Sequence, residues 1–202
     1  MKVIPHRGCW NEFHEGNSVK ALTEALQFFD GVEFDIRDDA SDIILSHNPF
    51  TNNCISFDSF LKGLGRDERK KFFAINVKAD GLGRKLKEIL NRNEINNYMC
   101  FDLSFPEKRQ YEKLGLQVFD RISDLEKNPE MESQGLIVDC FEKDIDLNDL
   151  QNISAELFFI SPELHGRNYL EFWNKLRASK FNSIHNYICT DKPELIKRMF
   201  ND

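Results

Sequence analysis

What this sequence does without narrows its class quickly. No stretch is long and apolar enough to span a bilayer, which takes about 20 consecutive apolar residues. The opening residues do not form the apolar core of a signal peptide, because Ile4 is followed at once by Pro5, His6 and Arg7. Basic charge is not in excess: 34 acidic residues face 27 Lys and Arg, giving a formal net charge of -7. With no basic stripe to follow a long polyanion, nucleic acid is not an expected partner. A small anionic substrate needs only a few local cations and is not excluded. The five cysteines, Cys9, Cys54, Cys100, Cys140 and Cys189, are odd in number, far apart and without a Cys-x-x-Cys pair. They fit neither a disulfide framework nor a clustered zinc site, and a reducing cytoplasm is the simplest setting. No internal repeat or disordered tail is evident.

What is there reads as a soluble enzyme-sized chain. Its 202 residues, 41% hydrophobic and 30% charged, suit one domain spanning 1–202. Many of the 18 phenylalanines fall in short apolar runs at 2–5, 31–36, 71–77, 98–103, 116–122, 135–140, 156–161 and 183–189. Each run is flanked by turn formers or polar residues, as buried parallel strands are. Between most of them lie helical patterns, at 17–29, 57–64, 83–90, 106–115, 168–180 and 193–200, with weak signals only in 123–134 and 141–155. Asn17 or Ser18 can cap the first, whose Leu22, Ala25, Leu26 and Phe29 share a face. Strand then helix, eight times, predicts a compact (β/α)8 TIM barrel; an open doubly wound sheet is the competing arrangement.

In such a barrel the chemistry lies at the C-terminal ends of the strands. His6 and Arg7 follow the first. Glu33 and Asp35 lie two apart on the second, so both side chains face one way and Phe34 the other. Paired carboxylates on an apolar strand repel each other and lose water; a hard divalent cation resolves both costs, as would ion pairs with Arg7 and Lys78. His47 follows at the end of DIILSHNP, and Asn76 and Lys78 end the third strand. Two histidines suit proton transfer on either side of one phosphorus, with Arg7 and Lys78 as phosphate-binding cations. Alone, either histidine reads equally well as structural. His165, in ELHGR, reads as a substrate contact or as solvent-exposed; His185 reads as a structural residue inside the last strand. Trp10 and Phe13 read equally as a shelf against a ligand or as aromatics packed over the barrel rim, and Cys9 is a weak candidate for a thiol nucleophile.

These strings, in this order, resemble the glycerophosphodiester phosphodiesterases: HRG at 6–8, NS at 17–18 opening a helix, DGVEFDIR at 30–37, SHNP at 46–49 and TDKP at 190–193. The resemblance runs the length of the chain but is dense only in its first fifty residues. It implies a (β/α)8 barrel that cleaves a small phosphodiester into an alcohol and a phosphomonoester. It implies His6 and His47 as acid and base, Arg7 on a phosphate oxygen, and one divalent cation, Mg2+ or Ca2+ with Mn2+ as a further candidate, at Glu33 and Asp35. Three departures stand out. Asn76 takes the place of a usual third acidic ligand while Lys78 is kept, so either the metal is held more weakly or another acid such as Asp102 or Glu163 helps. Asn48 follows His47 where Asp is usual, and the insertion that commonly follows strand two is essentially missing. Two other readings stay open: an impaired barrel that binds a phosphorylated ligand, and a metal-independent isomerase or aldolase using Lys78.

Overall fold

The computed structural model describes residues 1–40, 42–49, 54–126 and 134–201. They form two compact units, His6–Val118 and the combination of Met1–Pro5 with Phe119–Asp202. Each unit carries one five-stranded sheet.

In the unit that includes the chain start, the sheet order is β1 (Lys2–Pro5), β10 (Tyr187–Thr190), β9 (Glu156–Ile160), β8 (Gly135–Val138), β7 (Phe119–Ile122), and every pairing is parallel. These strands are almost wholly buried, which is why they read as apolar runs without alternation. Helices α5 (Leu170–Ala178) and α6 (Pro193–Asn201) belong to this unit. Trp173 of α5 is fully buried and its indole N–H donates to Ser161 Oγ at 2.7 Å.

In the unit His6–Val118, β2 (Gly31–Asp39) lies parallel to β5 (Phe72–Val77), and β5 lies parallel to β6 (Tyr98–Phe101). Phe34 points from β2 into an apolar cluster, its ring 5.5, 6.2 and 6.1 Å from those of Phe57, Phe60 and Phe73. Helix α1 (Val19–Phe28) starts on Ser18, whose Oγ accepts from the Ala21 amide at 3.2 Å, and buries Leu22, Ala25 and Leu26 on the same cluster. Helices α2 (Phe57–Gly63), α3 (Gly83–Arg92) and α4 (Phe105–Lys113) complete the unit. All six expected helices form.

All eight expected strands are present as well, but two more accompany them. β2 runs three residues beyond the expected Ile36, turns at Ala40, whose φ is +48°, and returns as β3 (Asp42–Leu45), antiparallel with Ile36 opposite Leu45. β4 (Ile55–Ser56) pairs antiparallel with β3 in turn. The segment DIIL, read from sequence as part of a loop, is therefore a strand. Two other expectations shift. The last strand starts at Tyr187, because residues 183–186 make a turn in which Asn186 receives the Leu157 amide and donates to the Phe181 carbonyl. His185 accordingly sits exposed before the strand, not inside it. Residues 116–118 precede β7 and lie beside β6, where the Cys100 amide donates to the Gln117 carbonyl and Cys100 bridges to Val118. In 141–155 the regular element is a short 3-10 turn at Leu147–Leu150, and most of the weak signal at 123–134 lies outside the described residues.

Candidate active site

The HRG turn is built by an unusual backbone. Arg7 and Gly8 both have positive φ, +56° and +91°. A Cβ on Gly8 would lie 2.5, 2.6 and 2.8 Å from Ala21 C, Ala21 O and Leu22 N, so only glycine lets the turn rest on the first turn of α1. Cys9 N donates to Ala21 O at 2.9 Å, and the Trp10 indole N–H donates to the His6 carbonyl at 2.8 Å. The turn is thus fixed before any ligand arrives, and Trp10 serves here as its brace.

The turn delivers its groups to the polar face of β2. Glu33 and Asp35, alternating with Phe34, are 1% and 0% exposed. The Arg7 amide donates to Glu33 Oε2 at 3.0 Å, and His6 Nε2 is 3.9 Å from the same oxygen. Arg7 Nε is 2.9 Å from Asp35 Oδ2, and Lys78 Nζ is 3.7 Å from Asp35 Oδ1 and 2.8 Å from Asp102 Oδ2. Asn76 stands opposite Asp35 in the β2–β5 register. The ion pairs with Arg7 and Lys78 that sequence offered as the alternative to a cation are therefore formed. Yet three buried oxygens remain without a hydrogen bond: Glu33 Oε1, Asp35 Oδ1 and Asn76 Oδ1. Orphaned buried oxygens are costly, and three of them on neighbouring positions of two strands are the donor chemistry a hard cation takes. Among the described residues no group of three or more His, Cys, Asp or Glu gathers as a metal site; here two carboxylates are joined by an amide.

Burial pushes the Glu33 carboxyl up to about 7, and the Asp35 carboxylate adds to this; His6 and the Arg7 amide pull the other way. Without a cation, this group keeps its proton to near neutrality.

The residue before His47 is tied to the site by its backbone. Ser46 N donates to Asp35 O at 3.1 Å, which ties the SHNP turn to the end of the acidic pair. His47 is the next residue, exposed, with Nδ1 3.0 Å from Asn48 Oδ1. Asn48 therefore occupies a position from which it orients the imidazole. Asp102 is engaged with Lys78. Glu163 belongs to the other unit, where Oε1 accepts from Thr190 Oγ1 and from the Asp191 amide at 3.2 Å, while Oε2 accepts from Ser161 Oγ. Its two oxygens join the end of β9 to the end of β10. His165, in that same unit, pairs Nε2 with Asp139 Oδ1 at 2.6 Å. Asn17, read from sequence only as a helix opener, proves to hold Asp35. Asn17 Nδ2 donates to Asp35 Oδ2 at 2.8 Å, and Asp35 N donates to Asn17 Oδ1 at 3.0 Å.

The fold is that of a known enzyme. Over 100% of both chains this protein is similar to the crystal structure of glycerophosphodiester phosphodiesterase from Agrobacterium tumefaciens str. C58, with a TM-score of 0.72 and 15% sequence identity. The likeness fixes an α/β fold of that type. No family model matches the sequence, and no curated protein matches it.

Proposed function

We propose that this chain is a metal-dependent phosphodiester hydrolase acting on a glycerophosphodiester or a related glycerol- or sugar-linked phosphodiester. The observation that carries this reading is the set of three buried oxygens that accept no hydrogen bond, on Glu33, Asp35 and Asn76, beside the cations Arg7 and Lys78. Its setting is a fold shared with a glycerophosphodiester phosphodiesterase. Eight parallel strands in sequence order, with β3 and β4 as an antiparallel addition, suit a single closed (β/α)8 barrel. No described helix is long and apolar enough to cross a membrane.

Glu33, Asp35 and Asn76 would hold one divalent cation, Mg2+, Ca2+ or Mn2+. That cation, when bound, offsets charge building on the non-bridging phosphate oxygens. Arg7 and Lys78 bind the same phosphate, Arg7 through a guanidinium that matches its oxygens and Lys78 as a compact charge. One of His6 and His47 takes the proton of the attacking hydroxyl, from water or from the substrate itself, as the new P–O bond forms. The other gives a proton to the alkoxide as the old P–O bond breaks. If the attacking hydroxyl is the substrate's own, a cyclic phosphate results and the histidines exchange roles to open it.

Asn76 supports a second reading, a barrel that binds a phosphorylated ligand without cleaving it, since it brings no charge. The ion pairs of Lys78 suit a charge-bearing role better than the Schiff-base role of an aldolase. Hydrolysis followed by phosphorus NMR separates the readings. The panel is glycerophosphocholine, glycerophosphoglycerol, glycerophosphoinositol and an aryl phosphodiester, each with Mg2+, Ca2+, Mn2+ or chelator. Metal-dependent product that vanishes in folded His6→Ala and His47→Ala proteins is expected. Full activity in either variant would remove that histidine from the mechanism. Silence from a metal-bound protein across the panel would favour the binding reading.

A further inference from the structure

The geometry points to Asn17 as a positioning residue that decides which Asp35 oxygen is offered to a cation. This rests on the cation site proposed above and adds to it a residue outside the ligand set. Asn17 has φ +63° and lies one position before the N-cap of α1, with its amide donating to the Arg7 carbonyl at 3.0 Å. Its side chain spans Asp35 at two points, the main-chain N–H and Oδ2. A carboxylate held both through its own backbone and through one oxygen cannot rotate freely about its Cβ–Cγ bond. Oδ2 also lies 2.9 Å from Arg7 Nε as an ion pair, so a hydrogen-bond donor and a cation both engage it. Oδ1 accepts no hydrogen bond, and Lys78 Nζ stands off at 3.7 Å.

The consequence is a division of labour within one carboxylate. Oδ2 faces the protein's own donors and Oδ1 is kept open. Without the Asn17 carboxamide, Asp35 can turn, and a small rotation lets Oδ1 tighten its 3.7 Å ion pair with Lys78 into a direct hydrogen bond. The cation site would then lose one of only two charged ligands. Outer partners that orient a ligand are worth about 10- to 100-fold in metal affinity, and this one orients a ligand with no third carboxylate to compensate.

The test uses Asn17→Gly, which accepts the positive-φ backbone and removes the side chain that grips Asp35. Mn2+ binding is measured by calorimetry and by water-proton relaxation on the full chain, with thermal unfolding of the cation-free protein beside it. Expected is a 10- to 100-fold weaker Mn2+ affinity with a near-native unfolding transition, and a raised relaxation enhancement per bound Mn2+ as water replaces Asp35. Asp35→Asn and the double variant close a cycle. If Asn17 works through Asp35, the double variant binds Mn2+ no more weakly than Asp35→Asn alone. Equal affinity in wild type and Asn17→Gly, or losses that simply add in the double variant, would overturn the inference while leaving the cation site standing. Absence of Mn2+ binding by the wild type would instead remove the cation site, and the positioning role with it.

Discussion

Glu33 gives the site a pH dependence with opposite signs for stability and for cation affinity. Its carboxyl is 1% exposed, and burial chiefly raises it from 4.5 to about 7 in the folded protein. Between those values the folded chain keeps a proton that the unfolded chain has released. The stability this carboxyl contributes is therefore complete below pH 4.5 and is lost as pH rises through about 7. At about 1.4 kcal/mol per pKa unit, the window is worth about 3 kcal/mol of unfolding free energy. A cation ligand must be ionised, so affinity runs the other way. A carboxyl with a midpoint near 7 is about one-tenth ionised at pH 6 and about nine-tenths at pH 8, so affinity should rise about tenfold across that interval. Calorimetry with Mn2+ at pH 6, 7 and 8, in buffers of different ionisation enthalpy, would report both the rise and about one proton released per cation at pH 6. Urea unfolding of the cation-free protein should show stability falling over the same range, and Glu33→Gln should flatten that fall. A wild-type affinity constant from pH 6 to 8, with no proton released, would refute the reasoning, because Glu33 would then either be ionised throughout or take no part.

Two further substitutions probe the frame and the ligand set. Gly8→Ala forces a Cβ to within 2.5 Å of the α1 backbone at a φ of +91°; strain and overpacking together should cost about 2–4 kcal/mol. Chemical denaturation measures that loss, and activity at a temperature where the variant is folded should also fall, since His6 and Arg7 ride on the turn. Asn76→Glu adds a carboxylate opposite Asp35, so Mn2+ and Ca2+ should bind more tightly while the cation-free protein unfolds more easily. No change in either affinity or metal preference would show that the residue 76 side chain lies away from the cation.

Much of this was legible in the sequence because burial writes directly into composition. The eight parallel strands are covered by apolar neighbours, so each is a short apolar run. The alternation Glu33, Phe34, Asp35 already placed two acids on one face and a ring on the other. β3 was not legible for a physical reason: DIIL is only four residues long, and its pairing depends on β2 running past the acidic pair and turning at Ala40. An alanine with positive φ gives no signal of the kind Asn-Gly would. The last strand began late because Asn186, polar but buried, spends its side chain on two main-chain partners. Asn17 was visible as a helix opener, but its partner Asp35 is 18 residues away, and no spacing rule connects an amide in a turn to a carboxylate on the next strand.

The backbone marks the same place as the side chains, and by an independent route. Among the described residues five non-glycine positions have positive φ: Arg7, Asn17, Ala40, Glu94 and Asp102. Such conformations cost about 1–3 kcal/mol and persist only where the surroundings hold them. Ala40 joins β2 to β3, and Glu94 follows the end of α3, with its amide on the Asn91 carbonyl. The other three carry the charges and amides of the candidate site, and each is held by it. The Arg7 amide and guanidinium meet Glu33 and Asp35, the Asn17 side chain grips Asp35, and Asp102 meets Lys78. A loop that was merely irregular would have no reason to concentrate strained residues on one buried carboxylate pair. Two of them hold Asp35 directly and the third holds Lys78 beside it, and a fixed carboxylate with one oxygen free of hydrogen bonds is preorganised for a ligand that the polypeptide does not itself supply.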